Sequence, residues 1–244
     1  MKILCTICAR GSSKGVRNKN IRRLLGRPLI TYTIRQALSH DLIDRVVVST
    51  DSEEIAGISK DCGAEVPFLR PAALAGDSSA KLPVIQHAVR YYIDEVGYKP
   101  DYVIDLDPTS PLRDDIDITR CVELITSDAG CDSVITGYRS NKNPYFNMVE
   151  LAGEGYATVS KKTPSVIKRR QDAPLVYAMN ASVYAWRTES LLSQRDIISG
   201  RVKFVEMPEE RSVDIDSELD FRVVESLMEE RKKDDISRKV SIKR

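Results

Sequence analysis

The sequence predicts an α/β fold in which a mostly parallel β-sheet carries helices on both faces. Strand-like and helix-like segments alternate through about the first 140 residues, and the strands are short, nearly continuous apolar runs. The length of 244 residues suits one large α/β domain, and 42% hydrophobic residues can supply its core.

The predicted elements follow one another in strict rotation. The strands are rich in β-branched residues, and the helices begin near Pro, Asp or Ser and end near Gly. In chain order they are a strand at 2–9, a helix at 28–40 opened by Pro28, a strand at 45–50, a helix at 51–63 capped by Asp51 or Ser52, a short extended piece at 64–70, a helix at 80–97, a strand ending in a turn at 101–111, a helix at 115–130 and a strand at 131–139.

The alternation breaks between residues 140 and 187, where short strand-like runs flank a basic and polar loop. We interpret this stretch as a partly antiparallel insertion that forms an edge, a lid or a dimer contact. A strand at 202–208 and an amphipathic helix from about Asp216 then complete a single domain at about residue 231. The charged tail, 232–244, is expected to fray.

Charge and cysteine content exclude several classes of protein. The net charge is +1, so we expect no general affinity for nucleic acid or for a membrane surface. No stretch approaches the roughly 20 apolar residues of a membrane span. Cys5 and Cys8 have C-x-x-C spacing but lie on opposite faces of the first strand, which favours a structural role. Unpaired cysteines indicate a reducing compartment, so the cytoplasm is the predicted location.

The loop after the first strand, ARGSSKGVRNKN at 9–20, is the first candidate site. It lies where α/β sheets bind ligands, although its spacing matches neither of the common glycine-rich phosphate fingerprints. Its glycines let backbone N–H groups converge, and its hydroxyl and cationic side chains suit a triphosphate. These residues are Arg10, Gly11, Ser12, Ser13, Lys14, Gly15 and Lys19. A solvated basic loop is the alternative.

Asp214 and Asp216, in the sequence VDID, form the second candidate site. In an extended segment, side chains two residues apart point the same way, so both carboxylates can reach one hard cation. The alternative is that Asp216 caps the following helix while Asp214 faces solvent.

Two more stretches hold polar groups near strand ends. In DPTSPLR (107–113), prolines stiffen a turn that carries Thr109 and Ser110. In RRQDAP (169–174), the paired arginines suit a carboxylate or a phosphate, although exposed arginines often cluster without such a role. No Ser–His–Asp set or cysteine nucleophile is indicated. The candidate residues instead favour catalysis in which phosphates are bound electrostatically and a nucleophile is held in line with one of them.

The chain resembles the CMP-sialic acid synthetases (acylneuraminate cytidylyltransferases) from about residue 3 to residue 229. The resemblance rests on six motifs in the family's order: ARGSSKGVRNKN, STDSEEIA, LRPAALAGD, PTSPLR, RRQDAP…MNASVY and DIDSELD. It implies a three-layer Rossmann-like nucleotidyltransferase fold and transfer of CMP from CTP to the anomeric hydroxyl of a nine-carbon 2-keto (nonulosonic) sugar acid. Pyrophosphate release, Mg²⁺ as cofactor and a homodimer joined through the segment 140–187 are also implied.

The resemblance also assigns roles to residues. Arg10, Lys19 and Asp216 are implied to be catalytic, and Asp214 and Asp216 to bind the metal. The implied nucleotide-binding residues are Ala9, Arg10, Gly11, Ser13, Lys14, Asn20, Arg70 and Asp77. The implied sugar-binding residues are Asp107, Thr109, Ser110, Arg170, Gln171, Asn180 and Tyr184.

Three positions depart from the family pattern at the sugar end. Asp107 stands where members often have Gln, Phe146 where some have Lys, and Ala178 where some have Arg. N-Acetylneuraminic acid is the first expected acceptor, and legionaminic or pseudaminic acid is the alternative. A Kdo cytidylyltransferase and a non-catalytic nucleotide-binding homologue are further alternatives. The last would predict loss of Lys19 or the aspartate pair, and all three residues are present.

Overall fold

The computed structural model describes the backbone of residues 1–12, 15–76 and 79–242, with side chains as far as Lys233. Its elements are β1 (Ile3–Cys8), β2 (Arg23–Leu24), β3 (Arg27–Pro28), α1 (Ile30–Ser39), β4 (Arg45–Ser49), α2 (Glu53–Asp61), α3 (Lys81–Asp94), β5 (Tyr102–Leu106), α4 (Asp115–Ser127), β6 (Ser133–Arg139), β7 (Val149–Leu151), β8 (Ala157–Val159), β9 (Tyr177–Arg187), α5 (Thr188–Ser193), β10 (Val202–Glu206) and α6 (Glu218–Ile242).

Six strands form the central sheet in the order β10-β6-β9-β5-β1-β4. β9 is antiparallel to β6 and β5, and the other pairs are parallel, which confirms the predicted α/β class. β1 lies between β4 and β5. After β1 the chain forms β4 on one side of this strand, and it later forms β5 on the other side. The strand order therefore reverses at β1 and opens a crevice at the carboxyl ends of β1 and β5.

Apolar side chains fill both faces of the sheet and produce three layers. On one face, Ile3 and Ile7 of β1 pack with residues of α1 and α4. On the other face, Leu4 of β1 packs against α3 through residues such as Ile85 and Tyr92. Cys5 belongs to the first cluster and Cys8 to the edge of the second, as the alternation along a strand requires. All five cysteines are unpaired.

Local capping chemistry explains where α2 begins and ends. The Ser52 hydroxyl accepts a hydrogen bond from the Ile55 amide at 3.3 Å, so Ser52 caps α2, and Gly63 follows this helix at a φ of +96°. The prediction that Pro28 opens the first helix was wrong. Pro28 pairs with Arg23 in the β2–β3 ribbon, and α1 begins at Ile30.

The segment 140–187 divides differently from the prediction. Its last part, β9, is an inner strand of the central sheet, so only residues 140–176 leave the sheet. This excursion contains the antiparallel ribbon β7–β8, whose side chains are exposed. A strand-like pattern reveals a strand but not its neighbours, which is why the inner position of β9 was missed.

The chain end also differs from the prediction. α6 continues as helix to Ile242, through most of the segment that was expected to fray. Within the described ranges, no helix combines the length and apolar character that crossing a membrane requires.

Arg113 ties the loop after β5 to its surroundings. Its buried guanidinium donates to the Ser182 carbonyl at 2.5 Å, the Gln36 amide oxygen at 2.9 Å and the Thr33 hydroxyl at 3.1 Å. Burial lowers the pKa of Arg113 to about 10, against the opposing effect of nearby acidic groups, so the side chain stays charged at neutral pH. The loop therefore has a fixed position relative to β9 and α1.

Candidate active site

A cleft of about 570 Å³ opens at the carboxyl ends of β1 and β5. Five separate parts of the chain form its walls: the loop after β1, the segment between α2 and α3, the start of α3, the loop after β5 and the segment before α6. Its lining includes Arg10, Gly15, Lys19, Asn20, Arg70, Ser79, Lys81, Asp107, Thr109, Asp214 and Asp216. The cleft lies at the point where the strand order reverses, as expected for a ligand site in this type of sheet.

The loop after β1 is attached to the end of β4. The Ala9 amide donates to the Ser49 carbonyl at 3.0 Å, and the Gly11 amide donates to Asp51 Oδ1 at 2.9 Å. Asn20 closes the loop, because its Nδ2 donates to the Arg10 carbonyl at 3.0 Å. Asn20 is buried, and its amide oxygen has no partner among the described atoms.

Arg70 forms part of the same wall. Its amide donates to the Thr50 carbonyl at 2.7 Å, its Nε donates to the Ser49 hydroxyl at 3.1 Å, and its Nη2 donates to the Ser49 carbonyl. These bonds hold the guanidinium of a buried arginine against the cleft, where a cationic group suits a nucleotide.

The predicted metal aspartates both line the cleft, opposite the loop after β1. The segment that carries them is held from two sides: the Ile215 amide donates to the Thr109 carbonyl at 3.0 Å, and Lys19 Nζ donates to the Ile215 carbonyl at 2.5 Å. Lys19 Nζ also lies 3.0 Å from Asp216 Oδ1. Asp220, rather than Asp216, accepts the bonds from the backbone before α6, so the helix-cap alternative for Asp216 is not observed.

The electrostatics around Asp214 favour a cation. Burial and the nearby carboxylate of Asp107 raise the pKa of Asp214 to about 6, against the opposing effects of the Thr109 hydroxyl and Lys19. Within the described residues, no group of three or more His, Cys, Asp or Glu side chains is arranged to hold a metal alone. Two carboxylates completed by phosphate oxygens and water are a usual arrangement for Mg²⁺, so these residues fit that ion.

The two walls meet at Gly15. A Cβ at this position would lie 1.9 Å from the backbone carbonyl oxygen of Asp216, which no side chain tolerates. Glycine at this position therefore allows the cationic loop and the acidic segment to approach each other closely.

Lys81 is a cleft residue that the sequence analysis missed. Its ammonium lies 2.8 Å from Asp105 Oδ2, 2.8 Å from Asp107 Oδ2 and 4.9 Å from the centre of the Tyr184 ring. Asp105 lies in the buried strand β5 and Asp107 directly follows that strand, and both carboxylates contact the same ammonium, so a cation was needed between them. The sequence DLD contained that signal.

Lys81 also changes the interpretation of Asp107. Burial would raise the pKa of this carboxyl, but Lys81 and hydrogen bonds from Thr109 outweigh it and lower the pKa to about 2. Oδ2 contacts Lys81, and Oδ1 accepts the Thr109 amide at 3.0 Å and the Thr109 hydroxyl at 2.7 Å. The Thr109 hydroxyl also contacts Asp214, so it links Asp107 to the acidic segment.

Several predicted sugar residues do not line the cleft. Ser110 and Tyr184 are buried, and the Tyr184 ring stacks on Trp186 with centroids 5.5 Å apart. Arg170 and Gln171 line a separate pocket of about 380 Å³ in the 140–176 excursion. Sequence order had suggested one shared site, whereas within a single chain the fold separates these residues from the cleft.

Asn180 lies beside an adjoining pocket of about 410 Å³, which we call the side pocket. Its lining is Tyr138, Met179, Asn180, Glu209, Ser212, Val213, Asp214, Asp216 and Asp220. The Asn180 amide is engaged within the protein: its oxygen accepts the Thr136 hydroxyl at 2.7 Å and its nitrogen donates to the Ser212 hydroxyl at 3.0 Å. Asp214 and Asp216 therefore stand between the cleft and the side pocket.

Three predicted nucleotide residues, Ser13, Lys14 and Asp77, lie outside the described residues.

A cationic loop and an acidic segment face each other at this edge of the α/β sheet, an arrangement that suits a nucleotidyltransferase. The cytidylyltransferase family model matches residues 4–226, and the chain belongs to that family.

Similar proteins span nearly the whole chain. A "Post-translational flagellin modification protein B" of Campylobacter coli is 41% identical over 94% of this chain and 96% of its own length. A "CMP-N,N'-diacetyllegionaminic acid synthase" of Campylobacter jejuni is 41% identical over 93% of this chain and 95% of its own. An "N-acylneuraminate cytidylyltransferase" of Escherichia coli is 30% identical over 96% of this chain, which corresponds to 54% of that protein.

Solved structures of low sequence identity share the fold. A CMP:2-keto-3-deoxy-manno-octonic acid synthetase complexed with CTP superimposes with a TM-score of 0.68 at 17% identity, covering 95% of this chain and all of that one (100%). A 4-diphosphocytidyl-2C-methyl-D-erythritol synthase from Anaerococcus prevotii gives 0.66 at 13% identity, covering 93% of this chain and 98% of that one. These likenesses confirm the Rossmann-like architecture.

Replacing Gly15 with alanine tests the contact between the two walls. Because the new Cβ would displace the Asp216 backbone, we expect kcat/KM for the nucleotidyl transfer proposed below to fall by about 10²-fold. Gly57→Ala is the matched control, since nothing lies within 4 Å of a Cβ at that helical position. Steady-state kinetics with thermal melting would separate misplacement from unfolding, and equal kinetics for both variants would contradict the role of Gly15.

Lys81→Met should destabilise the protein most at neutral pH, by about 3 kcal/mol, because it leaves buried carboxylates without their cation. In the wild type, the lowered pKa of Asp107 stabilises the fold above about pH 4, and this contribution is lost as the pH falls towards 2. Without Lys81, burial raises the pKa of Asp107, so the deficit should shrink between pH 7 and pH 4.

Urea unfolding across that pH range measures the deficit. Lys99→Met is the control, because Lys99 is exposed and lies 3.8 Å from Glu189. A deficit independent of pH would show that Lys81 stabilises the fold by packing alone.

Proposed function

We propose that the protein transfers CMP from CTP to the anomeric hydroxyl of a nonulosonic acid and releases pyrophosphate. The observation that carries the proposal is the cleft in which Arg10 and Lys19 face Asp214 and Asp216, in a chain of the cytidylyltransferase family. The acceptor class is supported by the 41% identity to a protein named as a CMP-N,N'-diacetyllegionaminic acid synthase.

The nucleotide is assigned to the side of the cleft formed by the loop after β1 and by Arg70. Arg10 and Lys19 supply positive charge for the phosphates, and backbone amides of the loop supply further donors. Lys19 already donates to Asp216, so its ammonium lies where a phosphate and the acidic segment would meet.

Asp214 and Asp216 are the proposed ligands of Mg²⁺. When bound, the ion would neutralise charge on the departing pyrophosphate. Thr109 and Lys19 orient the two carboxylates, the first through its contact with Asp214 and the second through its bond to Asp216. The side pocket beyond this pair is the proposed place of the acceptor sugar.

In the proposed reaction, the anomeric oxygen attacks the α-phosphorus of CTP. A new P–O bond forms as the bond to the oxygen that bridges to the β-phosphate breaks, and the hydroxyl proton passes to solvent. Both reactants are anions, so the site must offset their repulsion and hold them in line. The cations of the loop after β1 perform the first task, and the junction of cleft and side pocket performs the second.

Two acceptors are supported by the similar proteins. N-Acetylneuraminic acid was the first expectation, and the N-acylneuraminate cytidylyltransferase of Escherichia coli is 30% identical. N,N'-Diacetyllegionaminic acid is favoured by the higher identity of 41% to its synthase from Campylobacter jejuni. Whichever of the two acids is the acceptor, Asp107 is held in the lining of the cleft by its contacts with Lys81 and Thr109.

Pyrophosphate release from CTP and Mg²⁺ should occur with at least one acid from a panel of N-acetylneuraminic, N,N'-diacetyllegionaminic, pseudaminic and Kdo acids. Asp216→Asn should lose turnover with its melting temperature unchanged, because the side chain is exposed at the mouth of the cleft. Protein that binds CTP but turns over none of these acids would contradict the proposed acceptor class. An active Asp216→Asn variant would contradict the metal assignment.

A homodimer joined through the 140–176 excursion is part of the proposal. Large apolar side chains are exposed there, namely Met148, Val149, Leu151, Tyr156, Val166 and Leu175. Burying such a patch against a second copy would remove apolar area from water. The cytoplasm is the proposed location, supported by the unpaired cysteines.

Light scattering should give a mass of about twice 27.4 kDa for the wild type. Leu151→Asp combined with Val149→Lys should shift the mass towards the monomer, because charges would have to be buried at the interface. Ile198→Asp changes an exposed apolar residue outside the excursion and serves as the control. A monomeric wild-type protein would remove the role given to this segment.

A further inference from the structure

Residues 207–216, which we call the crossing segment, carry the two aspartates from one edge of the sheet to the cleft. The segment leaves β10, the edge strand, and ends beside the loops after β5 and β1. Four strand spacings separate β10 from β1, a distance of about 19 Å. A short chain that crosses open strand ends needs attachments along its path if its last residues are to be placed accurately.

The crossing segment is attached at each strand that it passes. The Met207 amide donates to the Gly137 carbonyl of β6 at 2.8 Å. Asn180 of β9 donates to the Ser212 hydroxyl at 3.0 Å. Ile215 then bonds to Thr109 after β5 and to Lys19 after β1, as described above.

A charged attachment lies in the middle of the crossing segment, outside the cleft. Arg211 donates through Nε to Asp117 Oδ2 at 3.0 Å and through Nη2 to Asp117 Oδ1 at 2.8 Å, which is the two-bond geometry of a strong arginine–carboxylate pair. Arg211 Nε also lies 3.5 Å from Asp114 Oδ2.

Asp117 is fixed independently of Arg211. Its side chain is fully buried in the first turn of α4, where Oδ2 also accepts the Asp114 amide at 3.0 Å in a capping box. α4 packs in the core through Ile118, so Asp117 is a rigid anchor. Since a buried carboxylate without its partner is costly, the pair holds the crossing segment against α4 three residues before Asp214.

We propose that Arg211 and Asp117 are positioning residues for the cation site, a role that rests on the proposed function of Asp214 and Asp216. Arg211 lines neither the cleft nor the side pocket. It acts through the backbone of the crossing segment, which sets how the two carboxylates face the nucleotide. Loss of the pair therefore weakens the coupling between cation and CTP more than it weakens CTP binding itself.

Calorimetric titration with CTP, with no acceptor so that no turnover occurs, tests the proposal. The affinity is measured in EDTA and again with saturating Mn²⁺, and the ratio of the two dissociation constants is the metal-dependent gain. Arg211→Met should lower this gain by about tenfold and leave the EDTA value unchanged, since residues behind metal ligands have effects of about that size. Arg211→Lys keeps the charge but loses the two-bond geometry, so it should fold normally and show a smaller loss.

Arg201→Met is the matched control, because it also removes an arginine that lies near a carboxylate. Arg201 lies immediately before β10, at the end of the strand away from the crossing segment, and its exposed side chain lies 3.6 Å from Asp132. Asp214→Asn distinguishes a failure of the positioning proposal from a failure of the cation assignment. If Asp214→Asn abolishes the gain while folded Arg211→Lys and Arg211→Met retain it, Arg211 has only a structural role and the positioning proposal is wrong. If Asp214→Asn keeps the full gain, the cation assignment itself fails, and the proposal fails with it.

Discussion

The geometry of the cleft depends on the contact between Lys19 and the acidic segment that precedes α6. A single ammonium donates to the backbone of Ile215 and to the side chain of Asp216, so it joins the first loop of the chain to one of the last. The same contact brings negative charge next to a loop suited to phosphates. Carboxylates and a triphosphate repel each other without a cation between them, so a nucleotide at the proposed site would require positive charge at this junction.

Features that depend on local chemistry could be predicted from the sequence. Apolar runs revealed the strands, Ser52 marked the start of α2, and the spacing of Asp214 and Asp216 indicated two carboxylates facing one way. The cationic loop was recognised by composition alone, although it matches no standard fingerprint. Each of these inferences needs only neighbours in sequence.

Features that depend on distant partners could not be predicted in this way. Lys81 begins a helix and looks like any solvated lysine until Asp105 and Asp107 arrive from β5. Asn180 lines the side pocket, but its amide is engaged by Thr136 and Ser212, which lie far away in the chain. Arg170 and Gln171 are close to Asn180 in sequence, yet the excursion places them in another pocket. Motif order therefore predicted which types of side chain line the cleft but not which residues come together there.

The inner position of β9 has a consequence for the order in which the protein can fold. β5 and β6 both pair with β9, and the other neighbour of β6, β10, comes later still in the chain. During synthesis, β4, β1 and β5 can associate first, while β6 has no sheet partner until residue 177 and beyond have emerged. The nascent sheet thus keeps open edges that invite pairing with other chains. Closure of the sheet is a late, long-range event, and it must be completed before the crossing segment has strand ends to rest on.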